Sequence, residues 1–288
     1  MRFTENFKDY ELIDAEGGER LERWGNIILI RPDPQVIWTG ERKNPLWNNA
    51  HAIYHRSNSG GGYWEPLKKV PDVWSINFEK LTFNLKPMGF KHTGLFPEQA
   101  VNWEFASNLI QKADKPVSVL NLFAYTGGAT AAALAAGANV THVDASKGMV
   151  QWAKENAVTS KLADRPVRWL VDDCMKFVKR EIRRGNKYDA IIMDPPSYGR
   201  GPNGEVWKLE LQIDELLSET GKLLSEKPLF FLLNSYTGGL SPTILNYMVR
   251  NYIAPNGSGS VFTDEIGLKI TDRDIVMPCG NTTIWTKD

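Results

Sequence analysis

From residue 116 onward, apolar runs of strand length alternate with segments whose apolar positions recur at helical spacing, the pattern of a parallel sheet with crossover helices. Five runs read as strands: VSVLNLF (117–123), NVTHVD (139–144), PVRWLV (166–171), YDAIIMD (188–194) and PLFFLLN (228–234). Helices are predicted between them. The alanine-rich ATAAALAA stops at Gly137, KGMVQWAKENA follows a cap at Ser146, CMKFVKREIRR stops at Gly185, and Ser241 with Pro242 supplies a cap and first-turn pair for TILNYMVRNY. No helix separates SVFTDEIGLKI from TTIWTK in the tail, so these are expected to pair as an antiparallel hairpin closing the sheet. Up to about residue 85 the texture differs, with short apolar runs, many aromatics and frequent turn signals, as in NIILIRPDPQVIW and NSGGGYWEPLKKVPDVW. The expectation is a small β-rich domain over 1–85, a linker with a helix over 86–115, and an α/β domain over 116–288.

Charge and cysteine usage narrow the classes. Lys plus Arg and Asp plus Glu both number 34, so no overall field draws the chain to nucleic acid, membrane or an acidic substrate, and any polyanion contact must be local. Two cysteines, Cys174 and Cys279, fit a reducing compartment and supply neither a disulfide framework nor a zinc cluster. The first residues are charged throughout and lack the apolar core of a signal peptide, and no run approaches the length of a membrane span; the cytoplasm is the expected location, with no membrane and no metal as partner.

In a doubly wound sheet, ligands bind beyond the carboxyl ends of the strands at the switch point. The loop after the first strand reads NLFAYTGGATAAA, with Gly127 and Gly128 where strand turns into helix. The second strand ends at Asp144, at a spacing that suits a carboxylate accepting from ribose hydroxyls. The third ends in VDDC, where Asp172 and Asp173 either accept from an adenine amino group or cap the next helix. The fourth ends in DPPSYGRG, a rigid corner in which proline fixes φ and bars the preceding residue from helical space, holding the Asp194 carboxylate and the Pro195 carbonyl as acceptors. A planar nitrogen donating to them would be oriented for attack, with Tyr198 as a face for stacking. A nicotinamide dinucleotide usually wants G-x-G-x-x-G, and here Phe123 and Tyr125 occupy places expected to be small. S-adenosylmethionine carries no phosphate and tolerates aromatic neighbours, so the residues favour it.

These stretches are similar to the motifs of class I S-adenosylmethionine-dependent methyltransferases. More narrowly, NLFAYTGG and DPPSYGRG resemble the bacterial 23S ribosomal RNA methyltransferases that include the cytosine-5 enzymes with an N-terminal PUA domain, and FKHTGLFPEQ (90–99) is similar to a segment those proteins carry just before the methyltransferase core. The similarity runs from about residue 80 to the end; the first 75 residues do not resemble a PUA domain. The resemblance implies a Rossmann-like methyltransferase sheet behind a small β-rich domain. It implies that Phe123, Tyr125, Thr126, Gly127, Gly128 and Thr130 cradle the methionine part of the cofactor, and that Asp144, with Ala145 and Ser146 beside it, binds the ribose. Asp173, or Asp172, would meet the adenine. Thr93, Phe96 and Gln99 would help close the pocket. On the reading of the residues themselves, Asp194, Pro195 and Tyr198 serve the acceptor, and Asp194 also stands among the cofactor-binding residues.

Two departures qualify the resemblance. Cytosine-5 methylation needs a cysteine that adds to the ring; in that family it follows the fifth strand, where this chain has NSYTGG. Cys174 is expected to pack as a small apolar residue, and Cys279, placed between the last two strands, is disfavoured as a nucleophile, which leaves a nitrogen or oxygen acceptor. The overall charge is also neutral, although residues 42–91 hold eight Lys or Arg against three acids, interleaved with Trp47, Tyr54, Tyr63, Trp64, Trp74, Phe78, Phe83 and Phe90. That mixture suits single-stranded RNA and equally suits an ordinary β core with a solvated face. His51, His55 and His92 have no metal-ligand spacing, and His142, inside a strand, is expected to be a hydrogen-bonded core residue. The leading expectation is S-adenosylmethionine-dependent methylation of RNA, ribosomal RNA first. The alternatives are a protein or small-molecule acceptor and a catalytically silent cofactor-binding module.

Overall fold

Short turns shape the beginning of the chain. Gly17 and Gly18 both take left-handed backbone, as a two-residue hairpin turn requires, and join β1 (Tyr10–Glu16) to β2 (Glu19–Trp24) in antiparallel register. A second tight turn, with Gly25 left-handed, leads into β3 (Ile27–Pro32), antiparallel to β2. In this computed structural model, which describes residues 1–57, 61–200, 206–254 and 258–287, the chain groups into two units, Met1–Val101 with Gly267–Cys279, and Asn102–Ile266 with Gly280–Asp288. Asn58 to Gly60 of the aromatic N-terminal stretch, Gly201 of DPPSYGRG and the final Asp288 lie outside the described residues.

In the first unit, β4 (Ala52–Arg56) adds parallel to β3, β5 (Gly62–Pro66) pairs antiparallel to β4, and β6 (Trp74–Phe78) with β7 (Leu81–Leu85) makes a separate hairpin. Ile13, Leu21, Ile28, Ile30 and Trp47 form its apolar cluster. Trp47, Tyr54, Phe78 and Phe83 are buried, whereas Tyr63 and Phe90 are exposed, so the aromatics divide between core and surface. Charge is buried too. Glu22 is fully enclosed, with Arg31 Nε at 2.5 Å from one oxygen, Arg31 Nη2 at 2.7 Å from the other, and the Tyr10 hydroxyl donating at 2.8 Å. Arg273 clamps Asp14 and Glu16 at 2.6 and 2.5 Å.

The second unit opens with α1 (Ala100–Lys112) and carries β8 (Ser118–Leu122), α2 (Gly128–Ala135), β9 (Asn139–Asp144), α3 (Lys147–Thr159), β10 (Val167–Val171), α4 (Cys174–Arg184) and β11 (Ala190–Met193). A small hairpin follows, β12 (Tyr198–Arg200) against β13 (Val206–Lys208), then α5 (Leu209–Gly221), β14 (Phe230–Ser235) and α6 (Pro242–Tyr252). The last strands are β15 (Ser260–Ile270) and β16 (Ile275–Thr286). The order is β10-β9-β8-β11-β14-β16-β15; the first five strands pair parallel, and β16 runs antiparallel to β14. This is the sheet expected from the sequence, with the chain passing from β8 to β9 and β10 on one side and returning to β11 on the other, which creates the switch point. Ser146, Asp173 and Ser241 cap α3, α4 and α6 with side-chain oxygens, and a left-handed Gly185 ends α4. One sequence expectation needs correcting. Cys279 lies within β16, not in a loop between the last two strands. Among the described residues no helix is long and apolar enough to cross a membrane.

Burial pushes the Glu22 carboxyl up, but the Arg31 guanidinium, Arg20 and the Tyr10 hydroxyl together outweigh it and hold the group below the usual carboxylate range. Arg31→Met strands that carboxylate and is expected to cost about 3–5 kcal/mol in chemical denaturation at pH 7. Because the wild-type contribution is present above the ordinary carboxylate range and is lost as pH falls, the gap between wild type and variant should narrow in acid.

Candidate active site

Where β8 ends, the backbone turns in a way few residues tolerate. Phe123 (φ 55°), Tyr125 (φ 50°) and Gly127 (φ 82°) are all left-handed, so two bulky side chains occupy a region normally left to glycine. The strained loop is held by its neighbours. Tyr125 N–H donates to Asp144 Oδ2 at 2.9 Å, Ala124 N–H to the Val143 carbonyl at 3.1 Å, and Phe123 N–H to Cys174 Sγ at 3.3 Å. Gly128 starts α2 so close to Trp103 that a Cβ there would lie 2.5 Å from the indole ring, and a Cβ on Gly127 would lie 2.9 Å from that of Ala153. Both glycines are therefore demanded by packing as well as by the turn.

Asp144 joins this loop to the next. One oxygen takes Tyr125 N–H and the other takes Ser146 N–H at 2.8 Å, with Ala145 between. Burial raises its pKa above the usual carboxylate value, and the two amide donors oppose that only in part. Thr130 and Thr126 are buried beneath the loop. Asn121 Nδ2 donates to Thr130 Oγ1 at 2.9 Å, so the Thr130 hydroxyl proton goes to His142 Nδ1, also at 2.9 Å. His142 is thus a neutral, hydrogen-bonded core residue, its pKa lowered to about 3 by burial. At the end of β10, Asp173 accepts Lys176 N–H at 2.8 Å as the cap of α4, and Asp172 is ion-paired to Arg180.

The corner after β11 stands beside the strained loop, since Met193 pairs with Leu122 on one side and Leu233 on the other. Asp194 Oδ1 accepts from Asn234 Nδ2 at 3.0 Å. Trp207, which sequence reasoning passed over, donates its indole N–H to the Pro196 carbonyl at 2.6 Å and lays its ring 5.4 Å from Phe123, tying the β12–β13 hairpin to both loops. Thr237 donates to Ser197 Oγ at 2.8 Å. Tyr198 opens the hairpin and is half exposed. The structure thus brings together Phe123 to Thr130, Asp144 to Ser146, Asp172, Asp173, Asp194, Pro195 and Tyr198 at the carboxyl ends of four successive strands of one sheet. Thr93, Phe96 and Gln99 belong to the first unit, where Thr93 and Gln99 are buried and Phe96 packs 5.2 Å from His92. Neither cysteine is poised as a nucleophile. Burial pushes both thiols up, Cys279 to about 12 even beside Arg20, and Cys174 further.

Residues 50–226, more than half of the chain, match the family of S-adenosylmethionine-dependent methyltransferases. The chain belongs to that family. The Rossmann-like methyltransferase fold and the cofactor expected from the sequence are therefore those of its relatives. The ribosomal RNA large subunit methyltransferase K/L of Pseudoalteromonas atlantica is 36% identical over 242 residues, which span 77% of this chain and 33% of that protein. Its counterpart in Colwellia psychrerythraea is 28% identical over 179 residues, 61% of this chain and 24% of that one. The chain thus spans about a quarter to a third of the length of these relatives. Among solved structures, the SAM-dependent methyltransferase from Agrobacterium tumefaciens superposes with a TM-score of 0.93 at 36% identity, covering 99% of this chain and 92% of that one. SMU.776, solved with SAH, shares the fold at a TM-score of 0.74 and 18% identity, over 98% of this chain and 76% of the other.

The residues fit S-adenosylmethionine in this methyltransferase. The first loop offers a tight, aromatic-flanked turn instead of a glycine-rich phosphate cradle, and a part-buried carboxylate stands at the next strand end, suited to sugar hydroxyls. Among the described residues no group of three metal-ligating side chains accompanies them.

Two outcomes follow. Gly128→Ala is expected to displace the Trp103 ring and to cost about 1–3 kcal/mol in urea denaturation. If cofactor ribose hydroxyls donate to Asp144, they favour its ionised form, so that protons and cofactor compete. S-adenosylhomocysteine affinity, measured by calorimetry, should fall as pH is lowered through the raised Asp144 pKa and stay level above it. In Asp144→Asn it should be weaker and flat over the same range.

Proposed function

We propose that this methyltransferase methylates RNA, ribosomal RNA first, at a nitrogen or oxygen, and acts in the cytoplasm. The observation that carries the reading is the Asp194-Pro195-Pro196 corner, held rigidly beside the left-handed loop at the switch point, with no cysteine in NSYTGG at the end of β14 and just beyond it. The relatives whose names specify ribosomal RNA support the choice of acceptor. In this reading Phe123 to Thr130 hold the methionine part of the cofactor, Asp144 its ribose, and Asp173 or Asp172 its adenine. Bound there, S-adenosylmethionine supplies a methyl group on a sulfonium centre. The chain's own residues orient the acceptor. Asp194 and the Pro195 carbonyl accept hydrogen bonds from the planar base, Asp194 takes or passes on the proton that the acceptor atom releases, and Tyr198 stacks on the ring. The exposed Tyr63 and Phe90 of the first unit offer further base-stacking faces.

The test is transfer of labelled methyl from S-adenosylmethionine into extracts of cells lacking this protein, with products divided by ribonuclease and protease. Label released by ribonuclease is expected; label released only by protease, or found in small molecules, overturns the RNA reading. Asp194→Ala should lower transfer by about 10²-fold or more while S-adenosylhomocysteine binding persists. Retained turnover would remove Asp194 from the mechanism.

A further inference from the structure

The strand β14 reads Phe-Phe-Leu-Leu before it meets Asn234, and that asparagine is as buried as the leucines. An amide in such a place costs stability unless every polar atom is answered, and an apolar side chain would need no answer. Here the answers form a chain with a direction. Asn102 Nδ2 donates to Thr282 Oγ1 at 3.0 Å, and Thr282 stands 2.8 Å from Asn234 Oδ1. A hydroxyl has one proton. Because Thr282 receives from Asn102, it spends its own proton on the Asn234 carbonyl oxygen, which turns the Asn234 NH₂ toward Asp194 Oδ1, 3.0 Å away. All three relay residues are almost fully buried and all lie in the second unit, on α1, β16 and β14. The strand pairing supports the same contact, since Asn234 lies opposite Thr282 and directly follows Leu233, the partner of Met193. Three residues further on, Thr237 ties the same loop to Ser197.

We propose that Asn234, oriented by Asn102 through Thr282, is a positioning residue for methyl transfer: it holds the Asp194 carboxylate in the one rotamer from which that group accepts the N–H or O–H of the methyl acceptor. The end of β14, with no cysteine to attack the base, thus acts as the brace of the acceptor-binding corner. The proposal rests on the role given to Asp194 above, and its consequences separate from that reading.

Two measurements on the intact chain test it. First, carboxyl-carbon NMR follows the titration of Asp194 with no substrate present. A hydrogen bond to the charged form favours that form, so Asn234→Ala should move the Asp194 midpoint upward, and Thr282→Val, which frees the amide to turn, should move it in the same direction by less. An unmoved midpoint in both variants overturns the proposal. Second, in transfer to RNA from cells lacking the protein, Asn234→Ala should lower kcat by about 10- to 100-fold with KM for RNA and S-adenosylhomocysteine affinity unchanged. It should cost nothing further in an Asp194→Asn background. Losses that appear in KM or cofactor affinity, or that add to Asp194→Asn, assign Asn234 a structural role only and overturn the proposal. If Asn234→Ala does not fold, Thr282→Val carries both measurements. Should wild type transfer methyl to no RNA, the acceptor reading fails, and the Asp194 titration alone decides the brace.

Discussion

Asp144 is the contact on which the rest of the site depends. A chain leaving β8 through left-handed phenylalanine and tyrosine has no local reason to stay there, because each such residue is strained on its own. The carboxylate at the end of β9 answers the Tyr125 amide on one side and the Ser146 amide on the other, so one side chain fixes both the strained loop and the start of α3. Its burial raises the cost of its charge, which the two backbone amides offset only in part. The turn and the carboxylate are thereby parts of one hydrogen-bonded arrangement.

Both units bury polar groups in directed sets, with different consequences. In the first, Glu22, Arg31 and Tyr10 close on one another and leave nothing to offer a ligand. In the second, the relay from Asn102 ends at Asp194, a group just past the carboxyl end of a strand.

Much of this was legible in the sequence. The five parallel strands stood out because runs of strand length rich in apolar and β-branched residues alternate with helical segments, and the helices because Ser146, Ser241 and Gly185 punctuate them. The strand-end residues could be named because a parallel sheet brings its carboxyl ends together whatever the loops contain. Other features depend on contacts distant in sequence. Nothing local says that Phe123 and Tyr125 take glycine-like backbone, since Asp144 and Cys174 impose it from other elements. The β12–β13 hairpin hid behind glycine and proline, and Trp207 with it. Asn234 read as the polar end of a strand, because Thr282 lies 48 residues away. The aromatics of the first unit divide into buried Trp47, Tyr54, Phe78 and Phe83 and exposed Tyr63 and Phe90 only once strand pairing sets their faces.

The central claim is that the loop after β8, Asp144 and the corner after β11 form one cofactor and acceptor site. A crystal structure with S-adenosylhomocysteine tests it most directly. The account predicts ribose hydroxyls on Asp144, the thioether sulfur within the loop from Phe123 to Thr130, and that sulfur turned toward Asp194 and Pro195. A ligand bound away from the carboxyl ends of β8, β9 and β11, or a ribose that leaves Asp144 untouched, would contradict it.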